Sequence, residues 1–199
     1  LIIGYSGQAM GAGFGSIIWS SDPLGDPFVY TLSETWYAYT WWPNKDDATD
    51  KATADLRFTF PDDLHLVSNG MLMADTALPG SLRQLHYQTL YPTATYLFCF
   101  GLANYNTFSG SYTHAGGVMP LEFAILPTSD SPTARTAWLK TESMLPIFAT
   151  LFGAYPFVDE KYGIYQFGFG GHRIEGIGDK HVPWVHNVRN TDMIAAMKP

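Results

Sequence analysis

The sequence predicts a mainly β protein, an antiparallel sheet or sandwich that is followed by a helix and a strand of a truncated α/β region. Over about the first 126 residues, short runs rich in β-branched and aromatic residues alternate with turn residues, without any βαβ alternation. After Pro127 the apolar residues recur at helical spacing instead. Hydrophobic residues make up 46% of the 199 residues and charged residues 15%, a composition that can fill a packed core.

The β region consists of short runs that alternate apolar and polar residues, as half-buried strands do. Asn69-Gly70 predicts a hairpin turn, because both residue types tolerate a positive φ. The predicted strands are Phe28–Leu32, Leu56–Phe60, Leu64–Val67, Leu82–Leu90, Ala94–Leu102 and Val118–Leu126.

The helical region begins after Thr128–Ser131, a cluster of N-cap residues that Pro132 follows in the first turn. Pro146 lies inside the helical pattern and is expected to kink the helix or split it in two. Gly153 predicts the end of the helix, and a further strand is predicted at Tyr162–Phe167. This change of pattern places a domain boundary near Thr128.

Charge and composition exclude some classes of function. The formal net charge is −7 and no Lys/Arg cluster is present, which argues against a nucleic-acid partner. No apolar run reaches the roughly 20 residues that a membrane-spanning helix needs. Cys99 is the one cysteine of the sequence and lies among apolar residues, so we interpret it as a core residue. The sequence leaves the compartment and the oligomeric state open.

Two separated segments carry a resemblance to a known family. The first is Thr31–Lys51, with the sequence TLSETWYAYTWWPNKDDATDK, and the second runs from Thr141 to Phe157 and continues in Tyr162–Phe167. In this order they resemble the M1 family of zinc aminopeptidases, over about residues 4–171. The resemblance implies an aminopeptidase N-like β domain at 1–127, the start of a truncated thermolysin-like catalytic domain at 128–171, and a divergent tail at 172–199.

Within the first segment, the resemblance implies that Glu34 binds the free α-amine of the substrate. A partly buried carboxylate pairs with an ammonium and rejects an internal peptide bond, which carries no charge at that point. The partners that the resemblance implies are therefore peptide amino termini. The other interpretation is an exposed strand glutamate without a partner.

The remaining polar residues of that segment are interpreted as structural. The aspartates and the lysine that match the family's acidic loop are expected to cap turns and to form exposed ion pairs of small value. Asn44 stands where many relatives have cysteine. The acidic-loop residues are Asp46, Asp47, Asp50 and Lys51.

The aromatic residues of the same segment have two interpretations. They are core and edge residues, or they form a stacking platform for sugars or side chains. The second interpretation gives the alternative function, a β-sandwich module that binds glycans or a protein partner. These residues are Trp36, Tyr37, Tyr39, Trp41 and Trp42.

The resemblance ends before the metal ligands. Gly170 and Gly171 match the opening of the family's glycine-rich motif and are possible cleft glycines, but Glu175 lies out of register with the glutamate of that motif. None of the six histidines belongs to a His-Glu-x-x-His sequence, which would place two imidazoles on one helical face. We therefore expect no metal site and no cofactor in this chain, although the parent family uses Zn²⁺, and no hydrolysis by this chain alone.

The tail from Arg173 to Met197 differs from the family. It is weakly similar to a glycine-rich segment of fold-type-II pyridoxal-phosphate enzymes of the cysteine synthase kind, without an assignable Schiff-base lysine. We interpret the chain as a chimera or a truncated gene product. A truncated core leaves apolar surface uncovered, so self-association is expected.

Overall fold

The computed structural model describes residues 1–13, 16–168 and 184–187. The contacts divide the chain into two compact units, Leu1–Ala103 and Asn104–Pro199, which are taken separately below. The strands are β1 Ser16–Ser21, β2 Pro27–Leu32, β3 Ala52–Pro61, β4 His65–Ser68, β5 Met71–Leu78, β6 Leu82–Thr93, β7 Phe100–Ala103, β8 Asn106–His114, β9 Gly117–Ile125, β10 Tyr162–Phe167 and β11 Trp184–Asn187, and the helices are α1 Pro132–Leu139 and α2 Thr141–Phe152. Within the described ranges, neither helix has the length and apolar character to cross a membrane.

The first unit is a pair of antiparallel sheets around a common hydrophobic core. One sheet has the strand order β1-β2-β7-β4 and the other has the order β3-β6-β5. Alternate residues of β3 and β6 point inward, where Phe60, Leu85 and Tyr87 are buried. Leu66 of β4 belongs to the same core cluster, and Phe100 of β7 packs against it. The predicted antiparallel sandwich is confirmed.

Asn69 and Gly70 do not form a hairpin, and that prediction was wrong. β4 before them pairs with β7, whereas β5 after them pairs with β6 in the other sheet. The two residues therefore carry the chain from one sheet to the other. The fully buried Asn69 side chain fixes this crossing, since its Nδ2 donates to the Leu97 carbonyl at 3.0 Å and its Oδ1 accepts from the Cys99 N–H at 2.7 Å.

Gly70 is required at this crossing for two physical reasons. Its φ is +77°, which glycine adopts without strain. A Cβ at this position would lie 2.1 Å from the carbonyl oxygen of Gln88. The hairpin prediction assumed a positive φ at both Asn69 and Gly70, whereas only Gly70 has one, and the neighbouring strands belong to different sheets.

The strand predicted at Ala94–Leu102 is shorter in the structure. A 3-10 turn occupies Thr95–Leu97, and only β7 pairs as a strand. The Asn69 side chain binds the Leu97 carbonyl and the Cys99 N–H, backbone groups that a neighbouring strand would otherwise bind. The prediction also missed β1, β5 and β8; β5 is exposed along most of its length, so it shows no alternation of apolar and polar residues. Cys99 is a buried free thiol, as predicted.

The second unit is built on a mixed sheet with the order β11-β10-β9-β8. β8 and β9 form an antiparallel hairpin, whereas β9 and β10 pair in parallel, with Leu121 opposite Tyr162. The two helices lie between these parallel strands in sequence and make the crossover that parallel pairing needs. The strand predicted at Val118–Leu126 thus shares a sheet with the strand of the α/β region. The boundary near Thr128, between the predicted β domain and the predicted start of a catalytic domain, stays a prediction.

The helix begins as predicted and divides at a different residue. The Ser131 side chain accepts a hydrogen bond from the N–H of Ala134 at 3.1 Å, which is an N-cap, and Pro132 follows it. The helix divides at Lys140, because the Thr141 hydroxyl and the Lys140 N–H both bond the Trp138 carbonyl.

Pro146 does not split the helix, contrary to one of the two predicted outcomes. It lies within α2, which continues to Phe152 and ends at Gly153 with a φ of +93°. Trp138 before the break and Leu145 after it both pack into the core on β9. Both helices therefore contribute a buried side chain to the same core.

Candidate functional site

Glu34 lies at the tip of a tight turn that follows β2. The Tyr37 N–H donates to the Ser33 carbonyl at 3.2 Å and closes the turn. The peptide bond between Glu34 and Thr35 is cis. A short 3-10 turn at Ala38–Thr40 follows directly, so the Glu34 side chain is held on a compact segment at the end of a strand.

Buried hydroxyl groups anchor this turn to β1. The Trp41 Nε1–H donates to the Ser33 hydroxyl at 2.9 Å, and that hydroxyl in turn donates to the Ser16 carbonyl at 3.4 Å. The Thr40 hydroxyl contacts the Ser16 hydroxyl at 2.8 Å. Ser16 and Ser33 are both almost fully buried. The backbone on each side of Glu34 is therefore fixed by the first sheet.

The Glu34 carboxylate is half-buried. Within the part of the chain that the structure describes, no side chain or backbone N–H makes a hydrogen bond or ion pair to it. Burial raises the pKa of the Glu34 carboxyl above its ordinary value, because desolvation disfavours the charged form. A carboxylate in this position gains free energy from a cationic ligand that replaces the lost water.

The aromatic residues around Glu34 divide into two groups. Trp41 packs edge-on against Phe100 with ring centroids 5.5 Å apart, and Trp42 packs edge-on against Phe98 at the same centroid distance. These two tryptophans are structural. Trp36 is 53% exposed and Tyr39 is 56% exposed, and Tyr37 is half-buried. Among the aromatic residues of this segment, Trp36 and Tyr39 are therefore the exposed ones.

Two buried polar atoms next to Trp41 were not anticipated from the sequence. The Trp42 Nε1–H and the Asn44 Oδ1 have no hydrogen-bond partner among the described residues. The Asn44 Nδ2 donates to the Trp42 carbonyl at 2.9 Å. Asn44 therefore shapes its own loop. No sequence pattern indicates this, because the burial of these atoms depends on the tertiary packing.

The acidic loop forms local contacts with little consequence for chemistry. Asp47 accepts hydrogen bonds from the N–H and the hydroxyl of Thr49, at 2.9 and 2.6 Å. Lys45 donates to Asp50 at 2.8 Å in an exposed pair. The Asp47 contacts are of the turn-capping kind that the sequence predicts. Asp50 forms an exposed ion pair with Lys45, whereas the pair expected from the sequence was Asp50 with Lys51.

No group of three or more potential metal ligands occurs among residues 1–13, 16–168 and 184–187. His86 contacts Asp55 at 2.6 Å across two strands, and the His114 ring stacks on Tyr112. His65 is an exposed strand residue. These donors do not fit a zinc site, because they do not come together as a group of three ligands.

The remaining predicted residues lie outside the described part of the chain. They are Gly170, Gly171, Glu175 and the predicted tail, except for the backbone of β11, which pairs antiparallel with β10. The likeness of the tail to a pyridoxal-phosphate enzyme stays a prediction.

Comparison with known proteins gives fold neighbours among solved structures. No family model matches the chain, and no curated protein matches it. A mutant M1 zinc metallopeptidase from Deinococcus radiodurans, bound to a Tyr-Ser-Ala substrate, is similar with a TM-score of 0.61 and 20% identity over 75% of this chain. Aminopeptidase A from Legionella pneumophila, in complex with aspartic acid, is similar with a TM-score of 0.62 and 18% identity over 69% of this chain.

These likenesses confirm the predicted resemblance in fold to M1 zinc metallopeptidases. The chain spans 33% of the length of the Deinococcus protein and 16% of the length of the Legionella protein. A two-domain form of the Deinococcus enzyme, bound to L-arginine, matches with a TM-score of 0.60 and 20% identity, over 77% of this chain and 37% of its own length. The similarity therefore concerns only part of each larger enzyme.

Proposed function

We propose that this chain is a part of an M1-type zinc aminopeptidase and that it supplies the wall that binds the free amino terminus of a peptide. The observation that carries the proposal is the half-buried Glu34 carboxylate, which has no partner among the described residues and lies on a hydrogen-bonded turn. The fold neighbours support it, since one is bound to a tripeptide substrate and others to amino acids.

The chemistry of this wall is selection by charge. The ammonium of an amino terminus carries one positive charge and three N–H donors, so it can pair with the Glu34 carboxylate and replace the water that burial has removed. An internal peptide nitrogen has no charge and one donor, so it leaves the carboxylate unpaired. Glu34 thereby favours chain ends.

The same proposal holds that this chain alone hydrolyses no peptide. Its sequence contains no His-Glu-x-x-His pair, and its described residues hold no metal-ligand group. In the parent family zinc would activate water and polarise the peptide carbonyl. Release of product from a fluorogenic amino-acid amide by the purified chain, abolished by a chelator, would contradict this part of the proposal.

Binding by Glu34 is tested with two matched ligands, leucine amide and N-acetyl-leucine amide, which differ in the charge of the amine. We expect the wild-type chain to prefer leucine amide by about five- to tenfold, the effect of one partly solvated charge-assisted contact. Glu34→Gln should remove the preference, because it keeps the shape and removes the charge. Binding is followed by chemical-shift titration.

Asp63→Asn is the control, since it removes the same charge from an exposed turn of the same unit. It should keep the preference for leucine amide. Equal binding of both ligands by the wild-type chain, or an unchanged preference in Glu34→Gln, would refute the role of Glu34.

A further inference from the structure

The chain segment before β1 lies beside the turn that carries Glu34. This segment, residues 5–13, is here called the N-terminal arm. The Tyr5 hydroxyl at its beginning donates to the carbonyl of Trp41, in the segment after the turn, at 3.4 Å. The N–H of Ala12 near its end donates to a side chain that also contacts the turn. The arm is therefore connected to the region of the Glu34 turn at both of its ends.

Ser16 is the residue that connects the arm to the turn. Its hydroxyl accepts the Ala12 N–H at 3.0 Å and lies 2.8 Å from the Thr40 hydroxyl. The Thr40 hydroxyl also lies 2.8 Å from the carbonyl of Tyr37, the residue whose N–H closes the turn. The Ser16 carbonyl accepts from the hydroxyl of Ser33, the residue at the start of the turn. Ser16 thus reaches both ends of the turn, directly or through one hydroxyl group.

Ser16 occupies this position in an unfavourable backbone conformation. Its φ is +50°, in the left-handed region that residues other than glycine rarely adopt, and its exposed fraction is 0%. A conformation of this kind persists only where the surrounding contacts define it, and such residues are common beside binding sites. The contacts to the arm and to the turn are the ones that define it here.

Gly13 is the residue of the arm that packs directly on the turn. Its φ is +58°, and a Cβ at this position would lie 2.2 Å from the Tyr37 ring. An added methyl group would therefore displace the ring of the residue that closes the turn. Gly7 of the same arm also has a positive φ, +139°, but a Cβ there would meet nothing within 4 Å. A side chain is unfavourable at both glycines, and only the one at Gly13 would contact the turn.

The position of the Glu34 carboxylate depends on this support. No described residue binds the carboxylate itself, so the backbone of the turn determines where it lies. A charge-assisted contact with an ammonium requires an N···O distance of about 2.7–2.9 Å. Movement of the turn would lengthen that contact and would admit water to the carboxylate.

We propose that Ser16 and the N-terminal arm position the Glu34 carboxylate where it receives an amino terminus. This inference rests on the proposed function of Glu34. Ser16 is a positioning residue, because it is fully buried and acts on the ligand only through the turn. Gly13 has the same role through its contact with the Tyr37 ring.

Binding of leucine amide and N-acetyl-leucine amide to the 199-residue chain tests the positioning, followed by chemical-shift titration. Ser16→Ala and Gly13→Ala should each reduce the preference for leucine amide by about threefold or more and leave the affinity for N-acetyl-leucine amide unchanged. General loosening of the unit would weaken both ligands alike and leave their ratio unchanged. Gly7→Ala is the matched control and should keep the wild-type ratio.

A second measurement needs no ligand. Burial raises the pKa of the Glu34 carboxyl in the wild type, and a pH titration of its side-chain ¹³C shift reports that pKa. In Ser16→Ala and Gly13→Ala the pKa should fall toward the ordinary value of a glutamate, because the carboxylate gains water when the turn moves. In Gly7→Ala it should stay raised.

The two measurements separate this inference from the proposed function. If the wild type binds both ligands equally, the proposed function fails, and the pKa of Glu34 in Ser16→Ala still decides the positioning: a lowered pKa supports it and an unchanged pKa overturns it. If the wild type prefers leucine amide, a Ser16→Ala variant that keeps both the preference and the raised pKa overturns the positioning.

Ser16→Gly keeps the proposal falsifiable where Ser16→Ala fails to fold. It removes the same hydroxyl and relieves the positive φ, so it should fold at least as well as the alanine variant and should lose the preference to the same extent. A wild-type preference in Ser16→Gly would overturn the role of the hydroxyl. Equal effects of Gly7→Ala and Gly13→Ala on the preference would overturn the role of the Gly13 contact.

Discussion

Glu34 is a carboxylate in a position where its charge is unfavourable to the fold. Burial raises its pKa, and no described residue compensates for the lost hydration. Residues that bind ligands often carry such a cost, because the groups that would stabilise them in the free protein are supplied by the ligand. This cost can be measured without any ligand.

Glu34→Gln should raise the melting temperature at pH 7 by about 1–2 °C, a small effect because the carboxylate is half-exposed. The sign follows from proton binding. When the pH rises past the ordinary carboxyl pKa, the unfolded chain loses its proton first, and the folded state loses relative stability until its raised pKa is passed. At pH 3, where both states are protonated, the difference should vanish.

Thermal unfolding of Glu34→Gln and of the Asp63→Asn control at both pH values checks this prediction. A melting temperature of Glu34→Gln that is unchanged or lower at pH 7 would show that the Glu34 charge is not destabilising.

Asn69 differs from Glu34, because both its side-chain nitrogen and its side-chain oxygen have hydrogen-bond partners within the protein. Both ends of its amide bind backbone groups of the segment that leads into β7. Asn69→Ala should therefore cost about 2–3 kcal/mol, because it removes two hydrogen bonds from a fully buried position. Urea unfolding measures the loss.

Asn106→Ala is the matched control for Asn69→Ala. The Asn106 side chain is exposed and donates to Asp130 at 2.8 Å, so its loss should cost less than about 1 kcal/mol. Equal losses in the two variants would mean that the Asn69 contacts do not stabilise the crossing between the sheets.

Strand β8 lies at an edge of its sheet, and α2 protects part of this edge. The Glu142 carboxylate accepts the Ser111 N–H, and Gly110 leaves room for it, since a Cβ there would lie 2.5 Å from the Glu142 Oε1. Unpaired edge groups invite association with other strands, so this contact limits access to β8. No pattern in the sequence indicates that Glu142 and the Ser111 N–H are partners.

Glu142→Ala should expose the Ser111 N–H and lower stability by about 1 kcal/mol. Amide hydrogen exchange at Ser111 should become faster, whereas Glu142→Gln should partly restore protection because its side chain still has a carbonyl acceptor. Unchanged exchange in Glu142→Ala would show that the edge is protected by other groups.

The helices show what a sequence pattern can and cannot predict about an element. The N-cap at Ser131 and the end at Gly153 were predictable, because both signals are local. The break at Lys140 was not, since it depends on packing both Trp138 and Leu145 into one core. Pro146 loses one backbone hydrogen bond, and packing of α2 on the sheet maintains the helix through it.

Across the chain, composition and alternation were sufficient to predict the mainly β fold class, and two motifs in order were sufficient to predict the fold neighbours. The partners of the strands were not predictable, because Asn69-Gly70 indicates a turn from local chemistry alone, whereas the strands that pair on each side of it are set by the tertiary packing. Glu34 was predicted as the candidate site residue from the resemblance to the M1 family. Its burial, and the absence of a partner for it among the described residues, are tertiary properties that only the structure shows.

The parallel pairing of β9 with β10 determines where the polypeptide can be shortened. A cut after residue 127 would separate β9 from both helices and from its parallel neighbour, and would leave an open sheet edge on each fragment. A cut after Ala103 leaves every sheet with all of its strands. Anyone who expresses the halves on their own should therefore divide the gene between the codons for Ala103 and Asn104.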